Sequence, residues 1–385
     1  MSRPAPLIFA SLMRLEGTTG LQTHMREFEA FLKDHGLPHE VATPFHMSTA
    51  PLLYVFVGLR RVLEVVWKPA AVWLYRWGHA FLLRMRLKRL MARHPECVVY
   101  AQCPLSAAVA MGCVRSPGQS VTMVVHFNLS QADEWIDKGA IATNGPIARR
   151  IRELERSVLP RLQGMVYVSR FMQGELMRKL EGLQRVRSAV IPNFVKALAS
   201  DKVMPAARGR DLVSIGTLEP RKNQRFLLQI LAEAKARGHV LTLTLVGDGT
   251  DRAELEALAR KLGIADQVYF AGFSAGARAF IPGHKLYVHA ARMENLPLVL
   301  LEALSAGVPI VAAAVGGIVE VFDEGVEGRF WPLDDVPAAC DVLLDVLKSE
   351  GRLTEMGQAA SRRFQSVFES TAVGQRLYDF LLDRS

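Results

Sequence analysis

The chain has 385 residues, half of them hydrophobic, a mean hydropathy of +0.14 and a formal net charge of +9. That length exceeds what one hydrophobic core usually supports, so two domains are expected, and the apolar content excludes a broadly disordered protein. The charge is lopsided: residues 1–200 hold 26 Lys and Arg against 14 Asp and Glu, and residues 201–385 hold 21 against 24, so the first half either faces something anionic or is merely basic.

In chain order, short apolar runs alternate with helical periodicity, which is the pattern of α/β units around parallel sheets. The first half gives "PLIFASLM" as a strand, "LQTHMREFEAFLKDHG" as a helix ending at Gly36, and "CVVYAQ", "VTMVVHF" and "GMVYVS" as later strands. "FVKALASDKVMPAARGRD" lacks periodicity and reads as a linker. Beyond it, "DLVSIGTL", "LTLTLVGDG", "QVYFAGF", "KLYVHA" and "PIVAAAV" read as strands, with helices over 222–237, 251–263 and 297–306. The resulting expectation is two doubly wound domains, 1–195 and 196–369, with a last helix near 370–385 packing back on the first. Facing one another, they would hold a ligand in a cleft at the carboxyl ends of their strands.

The opening "MSRPAPLIFASLMRLEG" has too short an apolar run for a signal peptide, and Cys97, Cys103, Cys113 and Cys340 form no metal-ligand spacing. Reduced thiols and a cytoplasmic location follow as expectations. Dinucleotide, P-loop and zincin motifs are absent from the sequence, which leaves those readings without support.

Three stretches carry candidate chemistry. In "GTLEPRKN" a strand ends at Gly216, and Arg221 and Lys222 lead into a helix, a place suited to a diphosphate. In "ENLPLVLLE", Pro297 suits the first turn of a helix, placing Glu294 just before it and Glu302 among leucines inside it. Such an apolar helix is a costly place for a carboxylate without hydroxyl or cationic partners. Residues 52–93 hold nine cations, one acid (Glu64), and Trp67, Trp73 and Trp77. The cations interrupt every apolar run, so a transmembrane span is not expected; amphipathic helices suited to an anionic membrane surface are favoured, the alternative being an ordinary helical pair whose Trp face packs on its own domain.

The ordered set of "EGTTGLQTH", "VVHFN", "YVSRFM", "IPNF", "GTLEPRKN", "LVGDG", "VYFAGF", "ENLPLVLLE", "ALSAGVP" and Gly316–Gly317 resembles the retaining glycosyltransferases of family 4, which have the GT-B fold of two Rossmann-like domains facing a central cleft. The resemblance implies a nucleotide-sugar donor, no cofactor and no metal. It places Glu294, with the backbone of Asn295 and Leu296, on the transferred sugar and Glu302 on the ribose. From Leu296 to Glu302 a helix rises ~9 Å, comparable with the offset between sugar and ribose. Lys222 and Arg221 would neutralise the diphosphate, with Thr217 where relatives often carry an arginine. Gly272 and Phe273 would border the base. Gly20 matches one glycine of the family's Gly-Gly loop, Thr19 standing where the other is usual. His126 matches a histidine that orients the sugar, so Glu294, His126 and Lys222 are the expected catalytic residues. "GTLEPRKN" leans toward mannosyltransferases and GDP-mannose over UDP-hexoses. A lipid-linked oligosaccharide acceptor, peripheral attachment to the inner face of the membrane and a role in cell-surface polysaccharide biosynthesis complete the expectation. The alternatives are a nucleotide-sugar epimerase of the same fold and a basic nucleic-acid-binding protein; with the resemblance, no nucleic-acid partner is expected.

Overall fold

The computed structural model describes residues 6–17, 19–46, 50–126, 130–198 and 211–383. The middle of the expected linker, Phe127 and Asn128 of "VVHFN", Thr18 of "EGTTG" and the first five residues of the opening stretch lie outside the described residues. Two compact units are formed, one by Met1–Pro192 with Thr371–Ser385, the other by Asn193–Ser370.

The first unit is built on six parallel strands: β1 (Leu7–Ala10), β2 (His39–Ala42), β3 (Cys97–Ala101), β4 (Gln119–Val125), β5 (Gly164–Tyr167) and β6 (Ser188–Val190), in the order β2-β1-β3-β4-β5-β6. Every residue of β1, β3 and β5 is buried, as befits a parallel sheet covered on both faces. Between the strands run α1 (Gly20–Asp34), α2 (Ala50–Val66), α3 (Lys68–Arg93), α4 (Pro104–Met111), α5 (Gln131–Asp137), α6 (Pro146–Val158) and α7 (Arg170–Lys179). The strand order reverses between β1 and β3, a switch point where doubly wound sheets open for ligands.

The second unit repeats the architecture with β7 (Leu212–Ile215), β8 (Leu243–Val246), β9 (Val268–Gly272), β10 (Leu286–His289), β11 (Ile310–Ala313) and β12 (Gly328–Trp331), in the order β12-β11-β10-β7-β8-β9. Its helices are α8 (Gln224–Ala236), α9 (Arg252–Lys261), α10 (Leu298–Ser305), α11 (Val336–Leu347) and α12 (Glu350–Arg363). Here the order reverses between β7 and β10. Tyr287 on β10 ties the two together: its hydroxyl accepts from Ile215 N at 3.1 Å and donates to Ile215 O at 3.2 Å. Asn193 and Val195 go with this unit because Asn193 Nδ2 donates to Leu296 O at 2.8 Å and Val195 bridges Glu369. A last helix, α13 (Ser370–Leu382), closes the chain within the first unit. Gly374 presses on Phe31 so closely that a Cβ would lie 2.7 Å from its ring, and Arg187 donates to Phe380 O at 2.9 Å.

Two parallel α/β sheets agree with the expected fold class. The three strands that the sequence did not announce, β2, β6 and β12, sit at sheet edges and are three or four residues long; partial exposure denies them a continuous apolar run. Two helix starts shift. Lys222 lies in a 3-10 turn, Pro220–Lys222, because Asn223 takes a left-handed φ of 56° and α8 begins only after it. Pro297 adopts an extended ψ of 123° and precedes α10 rather than opening its first turn. No helix among the described residues is long and apolar enough to cross a membrane.

Candidate functional site

In the second unit, the loops leaving β7 and β10 meet at the switch point through side chains. Glu294 is the centre. Its Oε1 accepts from Lys222 Nζ and, at 3.2 Å, from Arg221 Nη1, while His289 Nε2 stands 3.7 Å away. Arg221 also donates to Glu219 Oε1 at 2.9 Å, and its backbone oxygen accepts from Arg292 N at 3.1 Å. Burial by itself would raise the Glu294 carboxyl; Lys222, His289 and Arg221 outweigh it and hold the group well below the usual carboxylate range. Burial likewise opposes the Arg221 charge, and Glu294 and Glu219 more than restore it. The result is a cluster of two cations and two carboxylates, Glu294 and Glu219, in which Lys222 and Glu294 are the more shielded from water, a setting in which charge on a ligand is felt strongly.

Glycines let the loops close around this cluster. Gly316 has φ 58°, and a Cβ there would collide with Glu294 O, which also accepts from Gly317 N at 3.0 Å. Gly247, after β8, has φ 143° and lies where any Cβ would strike Gly216 O. Asn295 and Leu296 are buried just before α10, whereas Glu302 is half-buried inside it between Leu301 and Ala303. Gly272 ends β9 with φ 73°, and Phe273 beside it is 64% exposed. Lys222, Arg221, Glu294, Asn295 and Leu296 thus occupy one place. Glu302 lies within α10, which follows directly, and Gly272 and Phe273 lie at the end of the edge strand β9, two strands from β7.

The remaining expected residues are in the first unit. His126 leaves the end of β4, with its ring centroid 4.4 Å from that of His24. Its Nε2 is buried and has no hydrogen-bond partner among the described residues. Burial, and then His24, push the imidazole well below its ordinary value, so it is neutral at pH 7. His24 Nε2 lies 3.0 Å from the hydroxyl of Tyr100 on β3, so α1, β3 and β4 converge at this unit's own switch point. Gly20 opens α1, and Thr19 is its N-cap: Thr19 Oγ1 accepts from Gln22 N at 3.4 Å and Gln22 Oε1 accepts from Thr19 N at 3.2 Å. A capping box accounts for a threonine where a glycine was expected.

Sequence reasoning missed His289, His24 and Tyr100. His289 is only 2% exposed, stacks on Tyr287, and has Nε2 without a hydrogen-bond partner among the described residues. Its signal, a histidine closing an otherwise apolar strand, is also that of a core residue. No group of three or more His, Cys, Asp or Glu among the described residues could hold a metal ion.

Two family models match the chain: Glycosyltransferase Family 4 over residues 18–197 and Glycosyl transferases group 1 over residues 200–363. A GDP-mannose-dependent alpha-(1-6)-phosphatidylinositol monomannoside mannosyltransferase of Mycolicibacterium smegmatis is 30% identical over 45% of this chain and 48% of its own. An N-acetyl-alpha-D-glucosaminyl L-malate synthase of Bacillus anthracis is 32% identical over 37% of this chain and 38% of its own. The chain therefore spans less than half the length of these curated relatives. Among solved structures, the Anabaena protein HepE in complex with UDP-glucose is similar with a TM-score of 0.71 at 17% identity, covering 98% of this chain and 99% of that one. A sucrose-phosphate synthase from Thermosynechococcus elongatus gives 0.72 at 17% identity, over 97% and 98%. These likenesses carry the GT-B fold, and together with the two models, which run end to end from residue 18 to 363, they show that the chain belongs to the group 1, family 4 glycosyltransferases.

Proposed function

We propose that this protein is a retaining glycosyltransferase that moves a hexose, mannose from GDP-mannose before a UDP-hexose, to a lipid-linked saccharide in cell-surface polysaccharide biosynthesis. In this reading it works peripherally at the inner face of the membrane. The observation that carries the proposal is the largely shielded carboxylate of Glu294, held by Lys222 and Arg221 across the ends of β7 and β10, eight positions before Glu302 on α10.

In this reading each residue takes the role that the family resemblance gives it. Lys222 and Arg221 receive the diphosphate and balance the charge that grows on it as the sugar leaves, so the reading calls on neither metal nor cofactor. Glu294 and the backbone at Asn295 and Leu296 bind the sugar hydroxyls, and Glu302 binds the ribose hydroxyls as a bidentate acceptor. Gly272 and Phe273 border the base, Gly20 stands at the phosphate or acceptor loop, and neutral His126 orients the sugar. The C1–O bond to the diphosphate breaks while the acceptor oxygen bonds C1 from the same face, and the acceptor proton passes to the leaving phosphate oxygen. The pairing of Glu294 with two cations suits a binding role and not that of a hydrolase nucleophile.

The test is thermal melting with UDP, GDP, UDP-glucose and GDP-mannose, since a ligand bound only by the folded state raises the apparent stability. GDP-mannose is expected to raise Tm most, and transfer to a lipid-linked saccharide is expected to give the α-anomer by NMR, undiminished by EDTA. Failure of every nucleotide to shift Tm overturns the proposal. Consumption of donor with no acceptor present would favour the epimerase.

A further inference from the structure

The α2–α3 hairpin carries a surface for which the transfer chemistry has no use. One face of α2 is spent on the hairpin itself: Leu53 is buried, the Phe56 ring lies 5.8 Å from Trp77, and the Arg60 guanidinium sits 5.0 Å over Tyr75. The side of α2 left to solvent is apolar as well. Leu52, Val55, Leu59, Val62 and Val66 recur at alternating steps of three and four, which aligns them along one side of the helix, and they are 45–77% exposed. An ordinary surface helix would place charges there, and monomeric proteins rarely leave so long an apolar stripe in water.

A second row runs along α3. Trp73 stacks on Trp77 at 6.0 Å and Trp77 on Phe81 at 5.9 Å, and all three are exposed. Arg84 and Lys88, also exposed, continue the row at the next two turns. Aromatic rings followed by cations match the layers of a bilayer surface, where rings lie at headgroup level and cations reach lipid phosphates. Charge decides the occupant. A second copy of this chain would set nine cations against nine with one acid each, and that acid, Glu64, is already taken by Arg60 at 3.0 Å.

We propose that the outer face of the α2–α3 hairpin docks on an anionic lipid bilayer, with the α2 stripe and the Trp73–Trp77–Phe81 ladder entering the boundary of headgroups and acyl chains and Arg84 and Lys88 binding lipid phosphates. The inference rests on the reading of the acceptor as lipid-linked and names the surface that would bring the enzyme to it. Insertion of such a face reaches only about 5–10 Å deep, consistent with helices that do not span.

The experiment is sedimentation of the full chain with vesicles of phosphatidylglycerol and phosphatidylcholine, or of phosphatidylcholine alone, with tryptophan emission followed in parallel. Three of the five tryptophans lie in this hairpin, so insertion shifts emission to the blue and packing alone does not. Wild-type protein is expected to sediment with the anionic vesicles roughly tenfold more than with the neutral ones. Val62→Glu/Val66→Glu should lose the blue shift, and Arg84→Glu/Lys88→Glu should lose the preference for anionic lipid. Nucleotide affinity, measured on the same samples, reports on the donor site separately, so failure of one reading is told apart from failure of the other. Wild-type protein that ignores anionic vesicles overturns the inference, as does a solution dimer that Val62→Glu/Val66→Glu converts to monomer.

Discussion

Lys222→Ala gives the sharpest test of the cluster around Glu294. In the folded protein the two side chains are 15% and 12% exposed, so the substitution leaves a buried carboxylate with Arg221 at 3.2 Å and His289 at 3.7 Å. Removing one member of a buried pair costs about 3–5 kcal/mol, and the remaining guanidinium places this case at about 3. For a unit of this size that corresponds to a fall in Tm of roughly 6–12 °C. Deleting both charges is far less harmful than deleting one, so Lys222→Ala/Glu294→Gln should regain at least half the loss in thermal melts of the full chain. pH supplies a second reading. In the wild type the Glu294 carboxyl is depressed, so its contribution is complete above the unfolded value near 4.3 and is lost as pH falls through the lower folded one. Without Lys222, burial gains on the remaining partners and the carboxyl moves up. The gap between wild type and variant is therefore full at pH 7 and narrows on acidification, as the variant takes up its proton first. A double variant as unstable as the sum of the singles, or a gap indifferent to pH, refutes the coupling.

Glu302→Ala is expected to weaken nucleoside diphosphate binding by tenfold or more in calorimetry, since a lost hydrogen bond to a charged group costs about 1.5–3 kcal/mol. Lys222→Ala should lose affinity for the diphosphate and little for the bare nucleoside. His126→Gln should bind nucleotide normally and transfer sugar at least about tenfold more slowly. Because burial depresses the wild-type imidazole, the unfolded chain takes its proton first, and stability falls as pH drops below about 6.5; the variant should lose that part of the slope. Gly316→Ala places a Cβ against Glu294 O at φ 58°. It should lower Tm and slow transfer together, as left-handed strain alone costs about 1–2 kcal/mol.

Much of this molecule is written locally. Strands buried along their whole length, such as "LIFA", "CVVYA" and "LTLV", announce a covered parallel sheet because both faces of each must be apolar. The edge strands "HEVA" and "SAV" do not, because they are only partly buried and pairing with a neighbour completes them. The spacing of Glu294 and Glu302 and the sequence "EPRK" mark charged residues beside strand ends, and the fold brings Lys222, Arg221 and Glu294 of these into contact. Their partnership is decided by tertiary structure: 72 residues separate Lys222 from Glu294, and only the strand order, with β10 beside β7, brings them into contact. His289 shows the same limit, since one histidine on an apolar strand says nothing until the fold sets it behind a carboxylate. The hairpin is the reverse case. Composition alone marked residues 52–93 as basic and aromatic, but which face of α2 packs on α3 and which is left to solvent depends on the pairing of two helices. Residue types and their spacing fix what chemistry is available, and long-range packing fixes which groups share one place and which side remains open.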